Sequence, residues 1–129
     1  MIVDSSALVA IIRKEPGYEH LLQIIVQTPA VGVGAPTLVE TGMVLVGRLG
    51  PIGRIGLEDF VRDSDISIVP FGSGHWRVAM DAFIRYGKGR HPAALNFGDC
   101  MAYAVAKLAA EPLLCKGNDF AQTDLTLAV

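Results

Sequence analysis

Cysteine is scarce: Cys100 and Cys115 are the only two in 129 residues. They stand in no CxxC or zinc-type spacing, so neither a disulfide scaffold nor a metal knuckle is encoded. Three histidines, His20, His75 and His91, lie far apart and form no HxxxH pair. Long apolar runs are lacking too. The most apolar stretch, Leu21 to Val26, is broken by Gln23 and closed by Gln27 and Pro29, far short of the ~20 apolar residues of a membrane-spanning helix. Nor does the start read as a secretory leader, because Met1-Ile2-Val3 meets Asp4 at once; the cytoplasm is the expected location. Charge is thin at 19% of residues, and positive charge is not in excess: 11 Lys and Arg against 13 Asp and Glu leave a formal net charge of −2. Bulk positive charge is therefore not available to hold nucleic acid.

What the chain does have is apolar side chain. Hydrophobic residues make up 51% of it and the mean hydropathy is +0.42, which excludes intrinsic disorder. The length predicts a single domain spanning 1–129 with a core that needs no staples. Met1-Ile2-Val3 reads as a short strand, followed by N-cap chemistry at Ser5-Ser6 and a helix over Ala7–Ile12. A second helix fits Tyr18 to Gln27, with Leu21, Leu22, Ile25 and Val26 on one face. Ala30–Val33 is strand-like, and a helix runs from Pro36 and Thr37 to Leu49. Gly47, Gly50, Pro51, Gly53 and Gly56 predict a turn-rich connection to a short helix over Leu57–Arg62. Ile66–Pro70 is the next strand, and a helix capped by Ser73 continues to Tyr86. After a Gly-rich basic loop, an Ala-rich helix begins at Asn96 or Gly98 and stops before Pro112. Leu113–Cys115 and Leu125–Leu127 are the last strands. Short apolar strands alternating with helices predict a three-layer α/β fold, a central mostly parallel sheet flanked by helices.

In such sheets ligands bind outside the carboxyl ends of the strands. Asp4 ends the first strand, Asp119 follows the Leu113–Cys115 strand, and Asp99 sits in the first turn of its helix, where the dipole favours an anion. Glu40 lies one turn into the helix after the second strand, among Leu38, Val39, Met43 and Val44. Four separated carboxylates thus map to one end of the sheet. Hard divalent cations such as Mg²⁺ or Mn²⁺ take oxygen ligands, and one or two can clamp a phosphodiester and activate a water for in-line displacement. Plainer roles exist for each acid singly: a strand terminus or cap for Asp4, a dipole partner for Asp99, a turn residue for Asp119. Asp124 reads as a turn or cap residue outside the set.

The segments Met1-Ile2-Val3-Asp4-Ser5-Ser6-Ala7-Leu8-Val9, the helical Glu40, Asn96-Phe97-Gly98-Asp99-Cys100 and Lys116-Gly117-Asn118-Asp119-Phe120 resemble PIN-domain proteins. They are similar in particular to the VapC-type toxins of bacterial toxin–antitoxin pairs. The resemblance covers essentially the whole chain; its motifs are specific in joint order and spacing, and weak singly. It implies a PIN fold, a Mg²⁺-dependent endoribonuclease (Mn²⁺ serving as well) and a cognate VapB-type antitoxin. On the family pattern Asp4, Glu40, Asp99 and Asp119 match the four acidic positions, catalytic and metal-binding, and Ser6 matches a small polar residue that supports them. The expected reaction is hydrolysis of an RNA phosphodiester by a metal-activated water, with no covalent enzyme intermediate.

Basic residues are few but bunched. Arg85, Lys88, Arg90 and His91 fall within seven positions of one another and, with Lys116, are candidate phosphate contacts; an ordinary solvated loop is the alternative. Trp76 and Tyr86 read as packing residues rather than base-stacking platforms, given their helical context. Leu8, Ile11, Ile12, Leu21, Leu22 and Ile25 exceed the evident needs of one sheet face, so part of this surface, with the Val39–Leu49 helix, is expected to serve a homodimer or an antitoxin groove. Two rival readings have different chemistry. A phosphoacceptor receiver domain needs an acidic pair after the first strand and an acceptor Asp ending the third, which Asp4 alone and Pro70-Phe71-Gly72 do not supply. A non-catalytic PIN-fold binding module would not need the complete acid set.

Overall fold

A computed structural model describes residues 1–129. The elements run β1 (Ile2–Val3), α1 (Ser5–Ile12), α2 (Tyr18–Gln27), β2 (Gly32–Gly34), α3 (Ala35–Leu49), α4 (Ile52–Asp63), β3 (Ser67–Val69), α5 (Ser73–Tyr86), α6 (Phe97–Ala109) and β4 (Leu113–Leu114). The four strands pair in the order β3-β2-β1-β4, and every pairing is parallel. Ile2 lies opposite Leu113, and Val3 opposite Leu114.

That register sorts the core. Side chains alternate across a strand, so Ile2 and Leu113 point to one face, packing with Ala79, Ala82, Leu95, Val105 and Phe120 of the α5–α6 layer. Val3 and Leu114 point to the other, packing with Leu8, Ile11, Leu21 and Ile25 of α1 and α2. Helices therefore cover both faces of an all-parallel sheet, as the alternation of elements predicts. The crowded N-terminal apolar set is largely core: Leu8, Ile11, Leu21 and Ile25 are buried, and Ile12 and Leu22 half-buried.

Two elements differ from expectation. The glycine-rich connection is mostly helix, because α4 already begins at Ile52. Gly53 serves a close crossing rather than a turn: a Cβ there would stand 2.5 Å from the Leu45 carbonyl oxygen of α3. Leu125–Leu127 forms no strand, only a single parallel bridge from Leu127 to Leu113. The remaining bounds shift by one to three residues; Gly72 rather than Ser73 caps α5, its N–H donated to His75 Nδ1 at 3.0 Å. No helix is long and apolar enough to cross a membrane.

Candidate active site

The parallel sheet turns all its carboxyl ends one way, so residues just after β1 and β4 become neighbours there. Asp4, buried at 3% exposure, leaves β1 and caps α1. Its Oδ2 accepts hydrogen bonds from the Ser6 amide at 3.1 Å and the Ser6 hydroxyl at 2.6 Å. Ser6 Oγ in turn accepts the Lys116 amide at 2.9 Å, which ties the start of α1 to the segment leading from β4 to Asp119. Asp4 Oδ1 is buried and has no hydrogen-bond partner. Leaving such an oxygen unsatisfied costs about 1–3 kcal/mol or more, and burial pushes the Asp4 carboxyl above its ordinary range despite the bonds from Ser6.

Asp99 is held by a reciprocal cap at the start of α6. Its amide donates to Asn96 Oδ1 at 2.9 Å, and its Oδ2 accepts the Asn96 amide at 3.0 Å. Burial raises its carboxyl to about 6, against the lowering effect of the Asn96 amide, and the charges of Asp4, Asp119 and Glu40 push the same way. Those three influences show that the structure brings all four predicted acids into one electrostatic neighbourhood. Glu40, half-buried on α3, lays its carboxylate against Gly98, where any Cβ would overlap Glu40 Oε2. Asp119 is exposed in the turn after β4. Their plainer roles are real as well, since Asp4 and Asp99 both cap helices.

In their present rotamers no three of these groups converge on a single point, and two of them spend one oxygen each on capping. The residues nonetheless fit a hard cation. A buried carboxylate oxygen lacks a partner, a second carboxylate has only one oxygen engaged, and a glycine leaves room for a third. The donors are all oxygen, the type such ions take. The two thiols nearby are excluded from this chemistry: burial, with the adjacent acids, pushes Cys100 and Cys115 to about 11, so neither is a thiolate nucleophile.

The basic candidates are distributed unevenly. Lys116 Nζ pairs with Glu15 at 3.0 Å. Arg85 donates to Tyr86 Oη at 2.7 Å and lies 3.6 Å from Asp124. His91 Nδ1 accepts the Ala93 amide at 3.0 Å while its ring meets Tyr86 edge-on. Lys88 is exposed, and the Arg90 guanidinium sits 5.5 Å from the Phe83 ring centroid. Asp124 is outside the acid set: it accepts the Tyr103 hydroxyl and Lys107 Nζ, each at 2.7 Å, and these bonds outweigh burial to hold its carboxyl at about 2. Tyr86 is buried as expected, but Trp76 is 51% exposed and Phe97 81% exposed, so Trp76 is not a core residue. Sequence reasoning also missed the spacer role of Gly98. Its signal was only the juxtaposition of Gly98 and Asp99 in the first turn of α6.

Away from the acids, α3, α4 and the β3 edge enclose an apolar groove of about 1030 Å³, lined by Val39, Met43, Val46 and Ile68 among others, with Arg54, Glu58, Arg62 and Asp65 on its rim. Met43 is 72% exposed there.

Residues 1–125 match the PIN domain family. Ribonuclease VapC36 of Mycobacterium tuberculosis is 45% identical over 128 residues, covering 97% of this chain and 91% of that protein. Among solved structures, M. tuberculosis VapC20, described as a Sarcin-Ricin loop cleaving toxin, superposes with a TM-score of 0.79 at 16% identity, covering 97% of this chain and 95% of that one. VapBC2 from Rickettsia felis, bound to a DNA fragment from its promoter, gives 0.76 at 15% identity, covering 98% and 94%. At those identities the structural likeness speaks to the fold.

Proposed function

The chain belongs to the PIN-domain family, and from that premise we propose that it is a metal-dependent endoribonuclease, one PIN domain acting as the toxin of a type II toxin–antitoxin pair. The observation that carries the reading is the buried, partnerless Asp4 Oδ1 beside an Asp99 whose charge burial and three other acids oppose. Such a cluster is costly to the fold unless a cation joins it. Asp4, Glu40, Asp99 and Asp119 would hold the ion, Asp4 and Asp99 directly. Mg²⁺, or Mn²⁺, supplies Lewis acidity at the phosphodiester and lowers the pKa of bound water when present. The chain itself contributes positioning. Ser6 fixes one Asp4 oxygen and leaves the other free, the Asn96 cap does the same for Asp99, and Gly98 lets the Glu40 carboxylate approach.

An antitoxin of VapB type is the partner in this reading, as the toxin–antitoxin names of the relatives support, and the α3–α4 groove is its seat. An apolar trough of that size suits an amphipathic partner segment. The protein is further proposed to form a homodimer; light scattering that returns a clean monomer at micromolar concentration would remove that element. For the reaction, wild-type protein and Asp99→Asn are incubated with total RNA and the cut sites mapped. Discrete cleavage is expected from wild type alone, abolished by EDTA and restored by Mg²⁺ or Mn²⁺. Cleavage by Asp99→Asn at the normal rate, or cleavage indifferent to chelation, would sink the assignment.

A further inference from the structure

The exposed aromatic side chains of the α5–α6 layer are not accounted for by packing. Along α5, Trp76, Met80 and Phe83 follow helical spacing on a face that α6 borders but leaves partly open. With Phe71, Phe97 and Met101 they enclose an all-apolar cleft of about 390 Å³, within the roughly 300–1,000 Å³ of small-ligand pockets. Phe97, the first residue of α6, is 81% exposed, while Asp99 two positions on belongs to the acid cluster. Phe97 and Cys100 thus bring the cleft to the same first turn of α6 that carries Asp99.

Its surroundings say what covers it. The chain carries a formal charge of −2, yet residues 73–91 hold four cations, Arg77, Arg85, Lys88 and Arg90, against one acid, Asp81. Arg85 is engaged with Asp124. Two of the other cations stand on the cleft's own rings: the Arg77 guanidinium is 5.0 Å from the Trp76 centroid, and that of Arg90 5.5 Å from the Phe83 centroid. An occupant with flat π faces and negative charge at short intervals satisfies both features, because bases stack on exposed aromatics while their phosphates meet the neighbouring guanidiniums.

We propose that the α5–α6 cleft is a nucleobase-stacking subsite, in which Phe97 and Trp76 hold an unpaired nucleotide flanking the phosphate presented to the acid cluster. The inference rests on the ribonuclease reading above and adds to it that the RNA must be single-stranded at the cleft, because a base stacked inside a duplex has no free face to offer.

Trp76 is the sole tryptophan, so fluorescence excited selectively at tryptophan reports on this cleft alone. Asp99→Asn protein, which lacks one repelling carboxylate, is titrated in EDTA with a short single-stranded oligoribonucleotide, a blunt duplex of it and the same backbone lacking bases. The single strand is expected to quench Trp76. Adding Phe97→Leu should weaken its binding about tenfold, to the level of the abasic strand, with an unchanged melting temperature because Phe97 is exposed. Trp76→Leu, followed by anisotropy of labelled RNA, should behave likewise. Equal binding of all three probes, or Phe97→Leu binding as tightly as its parent, would overturn the subsite. So would a concentration-dependent doubling of mass without RNA that Phe97→Leu abolishes, which would assign the cleft to self-association. The parent reading fails separately: wild-type protein with Mg²⁺ that cuts no RNA, while quenching persists, removes the nuclease and leaves the stacking.

Discussion

The α3–α4 groove and the α5–α6 cleft are both open and both apolar, and they differ in their rims. The groove's two guanidiniums are paired with carboxylates: Arg54 meets Glu58 at 2.9 Å, and Arg62 meets Asp59 and Asp63 at 3.0 and 3.1 Å. The cleft's guanidiniums at Arg77 and Arg90 rest on rings instead. Burying a neutralised rim suits a folded protein segment, because little charge is left to be desolvated. Unpaired cations resting on exposed aromatic rings suit a polyanion that brings its own planar groups. Apolar area alone does not distinguish two such surfaces; the state of the nearest charges does.

Four measurements break or sharpen that contrast. The largest effect is expected from Asp99→Asn, which should abolish cleavage yet stabilise the metal-free protein at pH 7 by up to about 3 kcal/mol. The sign follows from a carboxyl raised to about 6 in the fold: its stability is full below the unfolded value near 3.8 and is lost as pH rises through 6. Urea unfolding at pH 4 and pH 7 in EDTA checks this, and the two proteins should converge at the lower pH. Next, Met43→Glu, a charge placed in the apolar groove, should weaken antitoxin binding by about 30-fold in calorimetry. Quenching of Trp76 by single-stranded RNA should survive it; a loss of both would mean that the two surfaces are not independent. Gly98→Ala should slow cleavage by about tenfold in a gel assay with little change in melting temperature. The new methyl meets the flexible end of Glu40, so the carboxylate is displaced while the backbone is not; a full-rate Gly98→Ala enzyme would show that Glu40 need not sit there. The smallest effect is that of Asp124→Asn, about 0.5–1 kcal/mol by thermal melting at pH 7 for a partly exposed network. The Asp124 carboxyl is held at about 2, so wild type keeps this contribution above pH 4 and loses it as pH falls through 2.

Much of the acid site was legible because its members are marked by their place at strand and helix ends, where polar residues interrupt apolar runs. Asp4 after Ile2-Val3 and Asp99 after Asn96 are such cases. The extent of α4 was not legible. Glycine signals a turn by its freedom, yet Gly53 is used for its missing side chain, a need visible only once α3 lies across it. Trp76 was misread for a related reason. The spacing of Trp76, Ala79, Met80 and Phe83 is that of a core stripe, and helical period alone does not reveal which apolar face receives a neighbour. Ala79, Ala82 and Tyr86 take the inner position, so their larger companions are left outside.

The strand order carries one more consequence, in time rather than space. β1 pairs with β4 across 111 residues, from Ile2 to Leu113 (113 − 2), and Asp119 follows still later. Closing so long a loop is entropically costly and slow, and it cannot begin before the far strand has been synthesised. During translation Asp4 therefore waits for Asp119, the last of the four acids to be made. A nascent chain thus carries no complete acid site until β4 and Asp119 have joined β1.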